Sequence, residues 1–245
     1  MKPLSYDKAW TDLVEMARSN TGALAAMAGV FLLLPNFAQT LLAPPPQIEA
    51  LDWNGVQMIS RYFQDNVLIL FGCQVPVWIG TAAIMLFMIE PGRFTVGQSL
   101  AAAAGFALSV IVLNWLLNVM MFGGLVLFLL PGIYLLGRLS VAIPVQMSEG
   151  LHNPLAAIAR SMELTRGNGW RIAGLVLLVA IVASIVVSAM NGGLGVLVRL
   201  AAPEAAATSL IALVQATLGA ASALLVILLS AAIYQQVRSG AERAA

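Results

Sequence analysis

The groups that could do chemistry in this chain are few and scattered. Its single histidine, His152, stands just before Asn153-Pro154, and the nearest carboxylate before it in sequence is Glu149. Its single cysteine, Cys73, lies inside an apolar run. A zinc or iron site needs several His, Cys or carboxylate ligands converging on one point. Nucleophilic catalysis needs a base beside a Ser, Thr or Cys. Neither set occurs at a usable spacing, and one cysteine excludes a disulfide framework within the chain. The stretches "GNGWR" and "NGGLG" lack the Lys-Ser/Thr pair with which a phosphate loop grips its ligand. The sequence therefore assigns no catalytic residue, no metal and no cofactor, and the expectation is a protein that is not an enzyme.

Polar side chains inside apolar runs carry more information, because placing them in lipid is costly. Gln74 lies on one run, Asn114 and Asn118 stand one turn apart on the next, and Arg138 lies on the one after. These four form a candidate intramembrane polar site, with Gln146 and Gln215 as further polar insertions. One reading is a cavity for a headgroup or small solute. The other is hydrogen bonding between helices that fixes their packing. The second is preferred, because the spans hold no carboxylate to couple protons or cations. Arg138 lies about 15 Å from the inner end of its span by helix rise. From there it can snorkel to the inner headgroups or turn inward to Asn114 or Asn118.

The elements that must position these residues follow from composition. Of 245 residues, 60% are hydrophobic and 9% charged, and the mean hydropathy is +0.92. A soluble domain carries about 25% charged residues, so this chain lacks the charge to cover a surface in water. The net charge of +1 offers no basic field for nucleic acid. The start, "MKPLSYDKAW", has no apolar core, so targeting falls to the first span.

Runs of about 20 apolar residues cross a hydrocarbon layer of about 30 Å. They fall at residues 21–43, 67–89, 98–121, 124–148, 170–190 and 208–234. The expectation is an all-α membrane bundle of six transmembrane helices in a single domain, residues 1–245. Gly123-Gly124 is the turn between the third and fourth spans. A rival reading runs one helix through to Pro131-Gly132 and leaves five crossings. Charge favours six. With the N-terminus in the cytoplasm, Lys2, Lys8, Arg18, Arg93, Arg160, Arg166, Arg171, Arg238 and Arg243 fall inside. Only Arg61 and Arg199 fall outside, which is a positive-inside bias. The outer loops are a proline run with an amphipathic stretch around Trp53–Phe63, and the glycine-rich "NGGLGVLVRLAAPEAAAT". Pro35, Pro76, Pro131 and Pro144 are expected to kink four spans.

Two polar stretches lead into spans in the same way. "VEMARSN" and "MELTRGN" agree at Glu15/Glu163, Arg18/Arg166 and Asn20/Asn168. Residues 5–19 read as an amphipathic helix capped by Ser5, with Tyr6, Trp10, Leu13, Val14 and Ala17 on one face. Residues 153–166 read as a second, with Asn153 as cap, Pro154 in the first turn, and Leu155, Ile158, Ala159 and Met162 as its stripe. Each is expected to lie flat on the cytoplasmic face and turn into the membrane as an elbow. "PGRFTVGQSLAAA" offers a shorter third elbow. Arg18, Arg160, Glu163, Arg166 and Arg171 are the candidate contacts to anionic lipid or to a protein partner. Small-residue faces at Ala101–Gly105, Gly192-Gly193 and Leu218–Ala223 suit close helix packing, within one chain or in a homo-oligomer.

From Leu130 to Leu178 the chain carries Pro131-Gly132-Ile133-Tyr134, then Arg138, Glu149-Gly150, Ala157 with Ser161, and Leu164-Thr165-Arg166-Gly167-Asn168. It closes with "AAIYQQVRSG", which includes Tyr234. This pattern resembles the membrane domain attached to some glycerophosphodiester phosphodiesterases, and the YciC-type inner-membrane proteins of bacteria. The resemblance implies a multi-pass protein of the bacterial inner membrane with both termini cytoplasmic, working in membrane or envelope organisation. The phosphodiesterase domain itself is a separate soluble unit, and its paired histidines and carboxylates have no counterpart here. The expected partners are membrane lipids, together with a protein partner or further copies of the chain. A carrier using the polar set on the spans is the alternative.

Overall fold

A backbone inside lipid finds no water to bond, so each apolar run must satisfy its own N–H and C=O groups as helix. The computed structural model describes residues 4–46, 48, 52–127 and 129–242. Among them the chain is an all-α bundle of the polytopic membrane type. Six stretches are long and apolar enough to cross a membrane: Thr21–Leu42, Trp53–Ile89, Ala107–Leu125, Leu129–Ser148, Gly169–Ala201 and Ala206–Glu242. Lys2 and Arg243, counted above on the inner side, lie outside the described residues.

The helices in order are α1 (Tyr6–Ser19), α2 (Thr21–Ala28), α3 (Leu34–Leu42), α4 (Trp53–Ile89), α5 (Val96–Gly105), α6 (Ala107–Leu127), α7 (Leu129–Leu139), α8 (Ala142–Ser148), α9 (Pro154–Leu164), α10 (Gly169–Ala201) and α11 (Glu204–Glu242). A π-helical turn at Gly29–Leu33 joins α2 to α3. Pro35 stands in the first turn of α3, where its missing N–H is tolerated.

Six spans are present, but several boundaries differ from those read off the sequence. The third span begins at Ala107, not at residue 98, because the chain breaks at Phe106 and leaves α5 as a separate helix. Thr95 and Gln98 close a capping box that starts α5. The reversal after the third span comes later than Gly123-Gly124: α6 runs through both glycines to Leu127. The third and fourth spans run antiparallel: Gly124 of α6 meets Gly132 of α7 near the reversal, while Ser109 of α6 bonds Gln146 of α8 at the far end. The stretch at Trp53–Phe63 is no separate interfacial helix. It is the opening of α4, a single helix of 37 residues capped by Asp52. Likewise "NGGLG" is not loop but the interior of α10, with the chain turning only at Ala202-Pro203. Glycine costs a helix about 1 kcal/mol relative to alanine, less than the cost of leaving backbone groups unbonded in lipid. Of the expected kinks, Pro131 and Pro144 fall in first turns, where proline is tolerated, and α4 passes through Pro76 unbroken.

The core is concentrated at one end. The last two turns of α4, from Ala82 to Ile89, pack with α8 and with Ile227–Tyr234 of α11. That end also carries α1, α5 and α9, each a short helix leading into a span. We call it the elbow end, and the opposite one the hairpin end.

Candidate functional site

Each elbow begins with a side chain that satisfies a free helix N–H. Ser5 accepts from the Lys8 N–H at 3.4 Å, Thr95 from Gln98 at 3.3 Å, and Asn153 from Leu155 at 3.0 Å. Each then docks on the bundle. In α1, Ala9 and Leu13 are buried, and the helix packs along α11. Tyr6 and Trp10, expected on the same apolar face, remain about half exposed at 48% and 49%. In α9 the buried face is Ala157, Ile158, Ser161 and Leu164. The expected stripe is thus rotated: Leu155 and Ala159 are exposed, because the small side chains of Ala157 and Ser161 allow the closer approach.

Polar bonds stitch the elbows to one another. The Leu4 N–H donates to Asn168 Oδ1 at 3.3 Å, tying the first elbow to the second. Ser5 and Gln236 exchange two bonds, N–H to Oε1 at 3.3 Å and Nε2 to the carbonyl at 3.4 Å. Ser161 Oγ donates to the Arg138 carbonyl at 2.7 Å, with Thr165 Oγ1 within 3.3 Å of the same oxygen. Tyr234, fully buried, shares a short hydrogen bond with Ser148. Gln146 Nε2 donates to Ser109 Oγ, which donates to the His152 carbonyl, both at 2.6 Å. The His152 ring stacks on Phe106 at 4.1 Å.

Ion pairs run along the rim. Arg160 bonds Glu149 at 3.2 Å and Glu163 at 2.7 Å. These hydrogen bonds, that with Glu163 foremost, hold the Arg160 guanidinium pKa above its ordinary value. Arg238 reaches Glu90 at 3.4 Å and Glu242 at 3.1 Å. Arg93 takes the other Glu90 oxygen at 3.4 Å. Exposed pairs contribute about 0–1 kcal/mol, whereas a buried donor left without its partner costs about 1–3 kcal/mol. The Ser161 and Asn168 bonds therefore hold the elbows, the Tyr234 bond joins α8 to α11 between them, and the rim pairs mainly set which charges remain free. Arg18, Arg166 and Arg171 are exposed and make no ion pair among the described residues.

The polar residues of the spans do not assemble into one site. Asn114 is buried and donates to the Val110 carbonyl of its own helix at 2.9 Å. Asn118 does the same to Asn114 at 2.8 Å. Gln74 is half-buried on α4, with no hydrogen bond among the described residues. Arg138 meets neither asparagine. It lies level with the start of α10, its guanidinium 5.8 Å from the Tyr134 ring centroid, and its Nη1 is buried without a partner. Tyr134 in turn packs on Trp170 at 5.4 Å.

Glu90, Arg238, Gln236 and the Ser148 contact of Tyr234 carry no local motif. The available signal was spacing: Tyr234 and Arg238 share one face at i, i+4. Among the described residues no three His, Cys, Asp or Glu side chains gather to hold a metal ion. Comparisons with protein-family models, curated proteins and solved structures give no match to this chain.

Proposed function

We propose that this chain is a non-catalytic protein of the bacterial inner membrane, with both termini in the cytoplasm. Its elbow end serves as a scaffold on the inner leaflet, in membrane or envelope organisation. The observation that carries this reading is how the polar residues are distributed. The polar side chains of the spans mostly bond their own helices or none, while those of the elbow end bond between elements and tie two of the short helices, α1 and α9, to their neighbours. The cations support the orientation. Lys8, Arg18, Arg93, Arg160, Arg166, Arg171 and Arg238 belong to the elbow end, and Arg61 and Arg199 to the other. The resemblance to the phosphodiesterase-associated and YciC-type membrane proteins agrees with such a role and rests on the Leu130–Leu178 pattern.

The proposed contact surface is Tyr6, Trp10 and Arg18 on the first elbow, with Arg166, Trp170 and Arg171 where the second turns into α10. These are exposed aromatics beside unpaired cations, the chemistry of an anionic headgroup layer. The test is reconstitution into nanodiscs of phosphatidylcholine with graded phosphatidylglycerol, followed by crosslinking from the elbow end in cells. Neutralising Arg18, Arg166 and Arg171 should remove the preference for phosphatidylglycerol and lose any protein crosslinked there. An unchanged lipid preference and crosslink pattern would refute the scaffold.

A further inference from the structure

At the hairpin end, a cleft of about 750 Å³ opens between the last turn of α3, the Pro44-Pro45-Pro46 run and the α10–α11 corner. This falls in the volume range of ligand sites, about 300–1,000 Å³. One wall is a single face of α11, made by Thr208, Ile211, Ala212 and Gln215 at i, i+3, i+4, i+7. Thr40 lines the opposite side, and Arg199 stands near the end of α10.

Two of these side chains lack partners. Arg199 has no ion pair, and Gln215 no hydrogen bond, among the described residues. Both are exposed, so this cation and amide beside apolar walls are free to meet an acceptor from the lipid. The three prolines have no N–H, so the rim they form cannot bind an anion through its backbone. Helical side chains lean toward the helix N-terminus, so the Gln215 amide reaches back along α11 toward the rim. The cleft thus combines a cation at its mouth, an amide donor below, and an apolar floor at Ile211 and Ala212.

We propose that this cleft binds one diacyl phospholipid from the leaflet at the hairpin end. Its phosphate pairs with Arg199, an ester carbonyl accepts from Gln215 Nε2, and an acyl chain lies along Ile211 and Ala212. The site is at the opposite end from the proposed scaffold surface and does not depend on it.

The test is native mass spectrometry of the full chain in a mild detergent, titrated with dioleoylphosphatidylglycerol, dioleoylglycerol or inorganic phosphate. One phosphatidylglycerol should survive activation that strips other lipid. Dioleoylglycerol should not be retained, and inorganic phosphate should not displace the phospholipid. Arg199→Gln should weaken retention by about tenfold, with Arg199→Lys recovering most of it. Gln215→Leu should weaken it less, and Arg61→Gln, at an exposed arginine of the same end outside the cleft, should leave it unchanged. Arg199 is exposed and unpaired, so its variants should melt like the native chain. Equal retention by native and Arg199→Gln proteins, retention of dioleoylglycerol, or displacement by phosphate would each overturn the proposal.

Discussion

Gly137 and Gly169 bring α7 and α10 into backbone contact. A Cβ added at Gly137 would stand 2.2 Å from the Gly169 carbonyl oxygen and 2.7 Å from the Ala173 nitrogen. Both obstacles are backbone, so neither can swing away. Gly137→Ala should therefore cost about 3 kcal/mol or more, the upper range for overpacking. Gly192→Ala and Gly193→Ala meet nothing within 4 Å and lie inside a helix, so each should gain up to about 1 kcal/mol. Thermal unfolding in detergent measures both. A Gly137→Ala protein that melts with the native one would remove this contact from the account of the fold.

The second joint separates side chain from backbone at Arg138. Ser161 binds the Arg138 carbonyl at 2.7 Å, whereas the guanidinium donates no hydrogen bond among the described residues. Ser161→Ala should destabilise by about 1–2 kcal/mol, leaving that carbonyl to Thr165 alone. Arg138→Leu should stay folded within about 1 kcal/mol of the native chain, since it breaks no bond and relieves a buried unpaired nitrogen. The reverse order of melting temperatures would show that the arginine side chain, not its carbonyl, holds the joint.

Tyr234 and Ser148 are partners across the core of the elbow end. Ser148→Ala strands the buried Tyr234 hydroxyl and should cost about 1–2 kcal/mol, while Tyr234→Phe leaves Ser148 Oγ its 3.5 Å contact with the Val145 carbonyl and should cost less. The double variant should cost less than the sum, with a coupling of about 0.5–1.5 kcal/mol. Strict additivity in a double-mutant cycle would mean that the contact contributes nothing.

The topology can be read with the native cysteine removed. In a Cys73→Ala background, Ser19→Cys reports the elbow end and Asn54→Cys the hairpin end, and both positions are exposed. A membrane-impermeant maleimide applied to spheroplasts should label Asn54→Cys at once, and Ser19→Cys only after permeabilisation. The opposite pattern would invert the proposed orientation.

The sequence alone determined the class and, through its charges, favoured six spans over five. Apolar runs of spanning length force helices, since lipid offers the backbone no other partner. Ser5 and Asn153 announced their helices through local capping, which depends on neighbours a few residues away. The joint at Gly167-Asn168 was equally local: Gly167 has φ +83°, the left-handed region that glycine enters without strain.

What the tertiary structure decided is where those elements meet. The helix ends at Trp53 and Ala201 were not readable, because glycines and polar residues that would break a helix in water stay helical when no water competes for the backbone. The buried faces of the elbows were set by approach distance. Ala157 and Ser161 turn inward where Leu155 was expected, since small side chains let α9 sit close enough for Ser161 to reach the Arg138 carbonyl. The partners of Asn168, Gln236 and Tyr234 lie 164, 231 and 86 positions away in the chain. No periodicity encodes such pairings. They exist only once six spans of unequal length have packed, leaving one end covered by its own elbows and the other with an open cleft.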